Sequence, residues 1–523
     1  VSAAAAPGAA AGPAAMPAVN PLFIAPVVAL AAFMEIMDIS IANVSLPHIA
    51  GDLSASQDES TWVLTSYLVT NAVVMPISGW LSNTFGRKNF FLVCIAGFTA
   101  SSLLCGLAPN LPTLILLRAL QGATGGGLQP AGQAILADSF PPERRGMATA
   151  IYGISAVFAP TIGPTLGGWI TDSYDWRWIF LINVPVGIVL FFLVTSLIQE
   201  PKVERKSSFS VDWWGFGFVA LSLGCLQVVM DRGQQDDWFD SNMIATMACV
   251  SAVAFCLLIW WELRTREPIV DLRLMRDPDF AVSFLLMLML GFMLLGSTFL
   301  IPAYVQSLMG YRAVDAGMLL TPGGLGTILM LPLVGRAMNK VDLRILIGIG
   351  LFIGGTSLLW MTHFYLDMPF RTIMLARMVQ AAGLPFLFIP INAMAFRNIT
   401  KDKTNNASAL VNLARNFGGS IGISVSSSLL TQRSQFHQSR LVESLQNLNP
   451  NYPDYAAQLG GALGGTAQSA ITTASVYQGA IQQATLMAYI DDFKMMGLVF
   501  LGMLPFLLLV RPGKGGGEAG MGH

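Results

Sequence analysis

Two carboxylates, Glu35 and Asp38, stand three residues apart inside an apolar run from Pro21 to Pro47. On a helix they share one face. A charge at the centre of a bilayer costs at least about 2.5 kcal/mol, so such groups face a cavity or a partner. Asp38 is nine residues from Pro47, roughly 13 Å below one surface at about 1.5 Å per residue. Arg118 is six residues past Pro112, about 9 Å deep from the same side. Opposite charges at matching depth are expected to pair, with protonation governing the pair. That chemistry is proton binding. Asp38 would titrate as its surroundings open to water and close. Glu35, nearer mid-depth, would be a second proton site or a contact for a cationic ligand. The plain structural reading of Arg118 is snorkelling along its stem.

Other polar residues fall at helical spacing in apolar runs: Gln121 and Gln129 beyond Arg118, Arg377 with Gln380, and Asn412, Arg415 and Asn416. They are candidates to line a central cavity. The alternative is interhelical hydrogen bonding, worth only about 1 kcal/mol each. Tyr67, Met293 and Phe388 are candidate apolar contacts, because Met and aromatic surfaces adapt to varied apolar ligands. Lipid or core packing is the plainer reading of each. No phosphate-binding G-x-x-x-x-G-K-[ST] occurs. His48, His363, His437 and His523 are scattered, and the five cysteines lie in apolar runs without metal-ligand spacing. These cysteines read as small buried hydrophobes. An enzyme or ATP-driven pump is therefore not expected, and neither a metal nor a cofactor is implied. A proton gradient would supply the energy, about 2.3 kcal/mol per charge per 100 mV. A net charge of −1 gives no reason to invoke nucleic acid.

The elements that position these residues follow from the distribution of charge. Only 11% of the 523 residues are charged, against about a quarter in soluble domains. The charges gather between apolar stretches long enough to cross about 30 Å of hydrocarbon. Fourteen helical spans are expected. They are Pro21–Pro47, Thr61–Leu81, Phe90–Ala108, Pro112–Leu136, Gly146–Ile170, Trp178–Ile198, Trp213–Met230, Ser241–Leu263, Asp279–Gln306, Ala316–Val334, Leu343–Met361, Phe370–Ala395, Asn405–Leu430 and Tyr489–Val510. One set of alternate loops carries 19 basic residues, including Arg87, Lys88, Arg144, Lys202, Arg205, Lys206, Arg266 and Lys401, and the other set carries 6. The richer set is cytoplasmic by the positive-inside rule, which puts both termini inside. Residues 1–20, all small or apolar apart from Ser2 and Asn20 and without a basic residue, read as a disordered tail.

An internal repeat divides the chain. LLRALQG around Arg118 matches LARMVQA around Arg377, and FAPTIG at Phe158 matches FGGSIG at Phe417, both at an offset of 259 residues. Pro76, Gly79 and Asn83 align with Pro332, Gly335 and Asn339. Six helices give an offset nearer 200, so about 50 residues, two helices with their loops, are inserted. The expected organisation is a six-helix bundle over 21–200, two inserted helices over 211–263 and a six-helix bundle over 278–510. The second bundle contains a long periplasmic loop, 431–490, parts of which, such as RSQFHQSRLVESLQ from Arg433, look amphipathic and helical, and a Gly-rich tail, 511–523, follows it. Paired bundles of this kind place a substrate site between them near the midplane.

Three strings carry a family resemblance: MDISIANVSLP from Met37, GWLSNTFGRKNF from Gly79 and APTIGPTLGG from Ala159. With INVPVG from Ile182, MDRG from Met230 and DWF from Asp237, the chain resembles the major facilitator superfamily. It is most similar to the fourteen-helix drug:proton antiporter branch and the EmrB-type multidrug exporters of bacterial inner membranes, over Pro21 to Pro512. The resemblance implies an all-α polytopic fold of two six-helix bundles plus two inserted helices. It implies proton-coupled efflux of diverse hydrophobic toxic compounds by alternating access. A dedicated exporter or a proton-coupled importer of one metabolite would use the same fold. It also implies a periplasmic membrane-fusion adaptor and an outer-membrane channel, for which the long loop is the expected platform. In the loop motif, Gly79 and Gly86 permit close packing and a tight turn, and Arg87 and Lys88 anchor the cytoplasmic face. The family's Asp is Asn83 here, which weakens the case for an ion-pair latch and leaves a hydrogen-bonded one open. Gly163, Pro164, Gly167 and Gly168 form the antiporter motif, associated with export; its first glycine is Ala159 here.

Overall fold

The computed structural model describes residues 21–140, 145–199, 212–265, 268–338, 340–400, 403–444, 457–458, 461 and 470–513. The expected tail at 1–20, the last residues from 514, and Arg144, Lys202, Arg205, Lys206, Arg266, Asn339 and Lys401 lie outside the described residues. The first half contains α1 (Pro21–Asp52), α2 (Trp62–Phe85), α3 (Arg87–Gly106), α4 (Leu111–Gly125), α5 (Leu128–Ser139), α6 (Arg145–Ser173) and α7 (Asn183–Leu197). Next come α8 (Trp213–Arg232) and α9 (Asn242–Arg264). The second half contains α10 (Pro278–Met309), α11 (Ala313–Ala337), α12 (Leu343–Met361), α13 (Phe370–Gly383), α14 (Pro385–Ala395), α15 (Thr404–Ser444) and α16 (Ala470–Leu501).

Helix stands at all fourteen expected spans, and no strand occurs among the described residues. Among them, 11 helices are long and apolar enough to cross a membrane. The spans at α4–α5, α6 and α15 are helical but outside that set. The first is interrupted where Gly125, Gly126 and Gly127 separate α4 from α5. A Cβ on Gly126 would stand 2.8 Å from the Asn71 carbonyl of α2, so the break lets this pair lie directly on α2. The matching element of the second half also breaks, at Leu384, and restarts on Pro385, whose missing N–H costs nothing at a helix start.

Close helix pairs explain the small residues of the repeat. Gly163 of α6 seats Ser40 of α1, and its repeat partner Gly422 on α15 seats Phe292 of α10. A Cβ on Gly167 would meet the Ile41 carbonyl at 3.0 Å. Gly167→Leu is therefore expected to cost about 1–3 kcal/mol by overpacking, read as a lower unfolding temperature in detergent. Gly224 of α8 is the control. Its added Cβ would meet only Val73 and Val69, at 3.5 and 3.6 Å, so Gly224→Ala should be neutral or stabilise by up to about 1 kcal/mol.

The halves meet along two seams. On one, α6 packs on α11 and α14, with Thr165 against Gly317 and Gly153 against Phe388 and Leu331. On the other, α2 and α5 pack on α15. Helix α8 lies over this second seam: Gly224 faces α2, and Gln227 Nε2 donates to Ser420 Oγ of α15 at 2.9 Å. Helix α9 packs on α8 and turns Val253, Phe255 and Trp260 outward. Cys249 and Cys256 are exposed on it, although all five cysteines are expected to be buried. Their positions on a peripheral, lipid-facing helix account for the difference.

The expected loop at 431–490 is largely helical where it is described. Helix α15 runs on to Ser444, and α16 starts at Ala470, 19 residues before Tyr489. The extensions are tied together: Gln438 Nε2 donates to the Tyr477 hydroxyl at 2.9 Å, and Ser434 Oγ lies 3.3 Å from Thr485 Oγ1. Hydropathy marks the membrane boundary, but a helix ends only where something stops it. No Gly or Pro occurs between Ile423 and Ser444.

Candidate functional site

Asp38, Glu35 and Arg118 are all buried, at 2, 0 and 0% exposure. Arg118 Nη1 of α4 donates to Asp38 Oδ2 of α1 at 2.6 Å and to Gln121 Oε1 at 2.7 Å. Its Nε donates to the Val63 carbonyl at 3.1 Å, and the guanidinium lies 4.3 Å from the Tyr67 ring centre. The other carboxylate oxygen, Asp38 Oδ1, accepts from Asn183 Nδ2 at 2.7 Å and Gln121 Nε2 at 3.0 Å. Both amides also reach Ser102 Oγ, at 3.1 and 3.2 Å. The carboxylate is thus held by three donors from α4 and α7.

Glu35 lies one turn away, among partners of α2 and α5. Asn71 Nδ2 donates to Oε1 at 3.0 Å, and the Tyr67 hydroxyl donates to the same oxygen at 3.5 Å. Gln129 Nε2 of α5 donates to Oε2, while Gln129 Oε1 accepts from Arg415 Nη2 of α15. One amide therefore spans the seam between a carboxylate of the first half and a guanidinium of the second. Arg415 also lies 5.9 Å from the Phe388 ring, which stacks on Tyr152 of α6 at 6.2 Å. Next along the seam, Asn412 Nδ2 donates to Gln133 Oε1 at 2.8 Å, and Ser408 Oγ donates to the Pro130 carbonyl at 2.7 Å. Asn416 faces Met75 of α2.

At one end of the seam, Asn405 Nδ2 donates to Asn83 Oδ1, and Gly79 lies on Asn406, whose Cα would be 2.9 Å from an added Cβ. Gly86 joins α2 to α3 at φ 90°, a conformation that glycine adopts without penalty. Arg87 pairs with Asp138 of α5, and Lys88 Nζ donates to the Thr195 carbonyl of α7 at 2.6 Å.

Gln129, Phe388, Asn412, Arg415 and Asn416 thus stand at the seam. Tyr67, Gln121, Met293, Arg377 and Gln380, read from the sequence as cavity candidates, stand inside the bundles in this structure. Tyr67 and Gln121 are buried within the first half, around Arg118. Arg377 donates to Ser297 Oγ, Thr298 Oγ1 and Gln380 Oε1 at 2.9, 2.9 and 2.6 Å, inside the second half. Met293 Sδ faces Gly354 of α12, again inside that half. Each satisfies or packs a bundle interior, because helical spacing specifies a face but not the neighbour it meets. Sequence reasoning missed Asn183, Ser102, Asn71, Asp138 and Asn405. Asn183 stands within INVPVG, where a polar residue in an apolar string was the available signal.

The sequence profile of the Major Facilitator Superfamily matches residues 28–423. The chain belongs to the major facilitator superfamily. Its similarity to curated members extends over nearly the whole length. It is 36% identical over 484 residues to the multidrug export protein EmrB of Haemophilus influenzae, covering 92% of this chain and 94% of that one. It is 34% identical to the fatty acid resistance protein FarB of Neisseria gonorrhoeae, covering 92% and 94%. Among solved structures, the human organic anion transporter MFSD10 superposes with a TM-score of 0.57 at 12% identity, covering 92% and 99%. The proton:xylose symporter XylE gives 0.56 at 14%, covering 95% and 97%. These two likenesses bear on the fold alone. A superfamily member with this helix content is a multi-pass membrane transporter, not an enzyme.

Proposed function

We propose that the chain exports diverse hydrophobic toxic compounds across the bacterial inner membrane in exchange for protons. The observation that carries this reading is the chain of contacts from Asp38 and Arg118 through Glu35 and Gln129 to Arg415. A proton on Asp38 removes the charge that holds Arg118 and two amides. A proton or cationic compound at Glu35 weakens the hold on Gln129, and so on Arg415 across the seam. Proton occupancy and the contact between halves are then linked, as alternating access requires. The names of the multidrug-export and fatty-acid-resistance relatives support the substrate class and the export direction.

In this reading both termini are cytoplasmic, and the extensions of α15 and α16 project into the periplasm. They would meet a membrane-fusion adaptor leading to an outer-membrane channel. A drug-susceptibility panel in a pump-deleted host, with and without a co-expressed adaptor, tests range and partnership. Transport in vesicles under a proton gradient of either sign tests direction. Uptake that follows the proton gradient inward would overturn export.

The Asn83–Asn405 bond closes the cytoplasmic end of the seam. Asn405→Ala removes one hydrogen bond, worth about 1 kcal/mol, and should shift the closed population roughly fivefold. Asn83→Asp gives a charge-assisted acceptor and should act the opposite way. Cross-linking rates of cysteine pairs placed across that end would report both.

A further inference from the structure

The second half holds buried charge that this mechanism does not use. At the repeat position of Asp38 stands Ser297, so Arg377 binds hydroxyls and an amide where Arg118 binds a carboxylate. An acid is buried elsewhere in the same half, on α16. Asp492 is 0% exposed, and neither of its oxygens holds a hydrogen bond of normal geometry. The neighbouring hydroxyl of Ser426 on α15 is turned to Met496 Sδ at 3.8 Å. Among the described residues no ion pair joins Asp492 to a cation. A carboxyl buried without a cation beside it is a feature that packing alone does not explain.

The adjacent residue leads outward. Asp491 Oδ2 lies 2.8 Å from His437 Nε2 and 3.2 Å from Arg433 Nε, both on α15, and the Asp491 and His437 side chains are 26 and 19% exposed. On α16, Tyr489 and Lys494 are the other titratable residues close in sequence; the Tyr489 hydroxyl lies 3.2 Å from Ser307 Oγ of α10, and Lys494 is exposed. Tyr304 of α10 donates to the Tyr365 carbonyl at 2.8 Å. Helix α10 carries a charge only at Asp279 and α12 only at Arg344, each near its helix start. Among the described residues, the charged side chains beside Asp492 on the packed helices, Asp491, His437 and Arg433, lie on α15 and α16.

We propose that Asp492 is a second proton carrier, loaded from the periplasmic face through His437 and Asp491. A proton taken up by the His437–Asp491 pair passes to a carboxylate oxygen of Asp492, and His437 returns to neutral imidazole. The proton leaves on the other side when the opposite state hydrates α16. This rests on the proton-coupled reading above.

The test uses the full-length protein in proteoliposomes, with tetraphenylphosphonium as the transported probe and a pH dye counting protons. Asp492→Asn should move the probe with one fewer proton per cation. His437→Gln should keep the wild-type count but take up protons more slowly. Infrared spectra of wild-type protein with labelled aspartate should show a protonated carboxyl band that Asp492→Asn lacks. That band should weaken during turnover. An unchanged proton count in Asp492→Asn would overturn the proposal. So would a wild-type band insensitive to pH and turnover, the signature of a static neutral acid. If Asp492→Asn does not fold, the wild-type band alone decides. Absence of any proton exchange in the wild type would instead overturn the antiport reading itself.

Discussion

Asp38→Asn is expected to abolish proton-driven efflux while leaving a folded but destabilised protein. Asn keeps the volume of Asp, but Arg118 then faces no charge, and Gln121 and Asn183 compete for one acceptor oxygen. Removing one partner of a buried ion pair costs about 3–5 kcal/mol, because the remaining charge is uncompensated. The thermal unfolding of purified protein should show that loss. Arg118→Gln should show a similar one. The double variant Asp38→Asn/Arg118→Gln should recover about 1–3 kcal/mol relative to the sum of the singles, since neither charge is stranded. Transport should not recover with stability, because no proton-binding carboxylate has been restored. Efflux in vesicles under an imposed proton gradient separates the two outcomes. Continued coupled efflux in Asp38→Asn would remove this pair from the mechanism.

Glu35→Gln should discriminate between substrates by charge. Among the described residues the carboxylate is the one acid bonded to the amide that crosses the seam, and it accepts from Asn71, Tyr67 and Gln129. A hydrogen bond to a charged group contributes about 1.5–3 kcal/mol, which corresponds to about 10- to 150-fold in affinity. Binding of hydrophobic cations should weaken by that factor, and binding of neutral compounds of similar size should change much less. Binding measured by fluorescence quenching on purified protein, across a matched cation and neutral pair, is the readout. Equal losses for both would assign Glu35 a packing role only.

The depth of charged residues was legible in sequence, and tertiary register was not. Counting residues from Pro47 and Pro112 places Asp38 and Arg118 at one level, and helical geometry does the rest. The repeat likewise identifies Gly163 with Gly422, and both seat the first helix of their half. The same repeat misleads at Arg377 and Gln380. It matches them to Arg118 and Gln121 but does not say that either pair faces the bundle interior. Asn183 and Ser102 are neutral, so burial leaves no mark on the charge pattern, and only the folded positions of α3 and α7 bring them to Asp38. Gln129 and Arg415 are 286 residues apart, and their contact depends on how two bundles dock. The helical extension of α15 was legible in the amphipathic run RSQFHQSRLVESLQ from Arg433, but its continuity with the span before it was not, because polar residues were read as the end of that span.

That extension makes α15 a single shaft of 41 residues, about 60 Å long, twice the roughly 30 Å of hydrocarbon it crosses. One part carries Asn405, Asn412 and Arg415 on the seam, and the far part carries Arg433, His437 and Arg440, side chains that a bilayer interior disfavours. A tilt of about 10° pivoting at the seam would carry the tip through about 5 Å over an arm of about 30 Å. Motion generated between the bundles is thereby magnified mechanically at a distance, and any body resting on that tip would be pushed without touching the transport path.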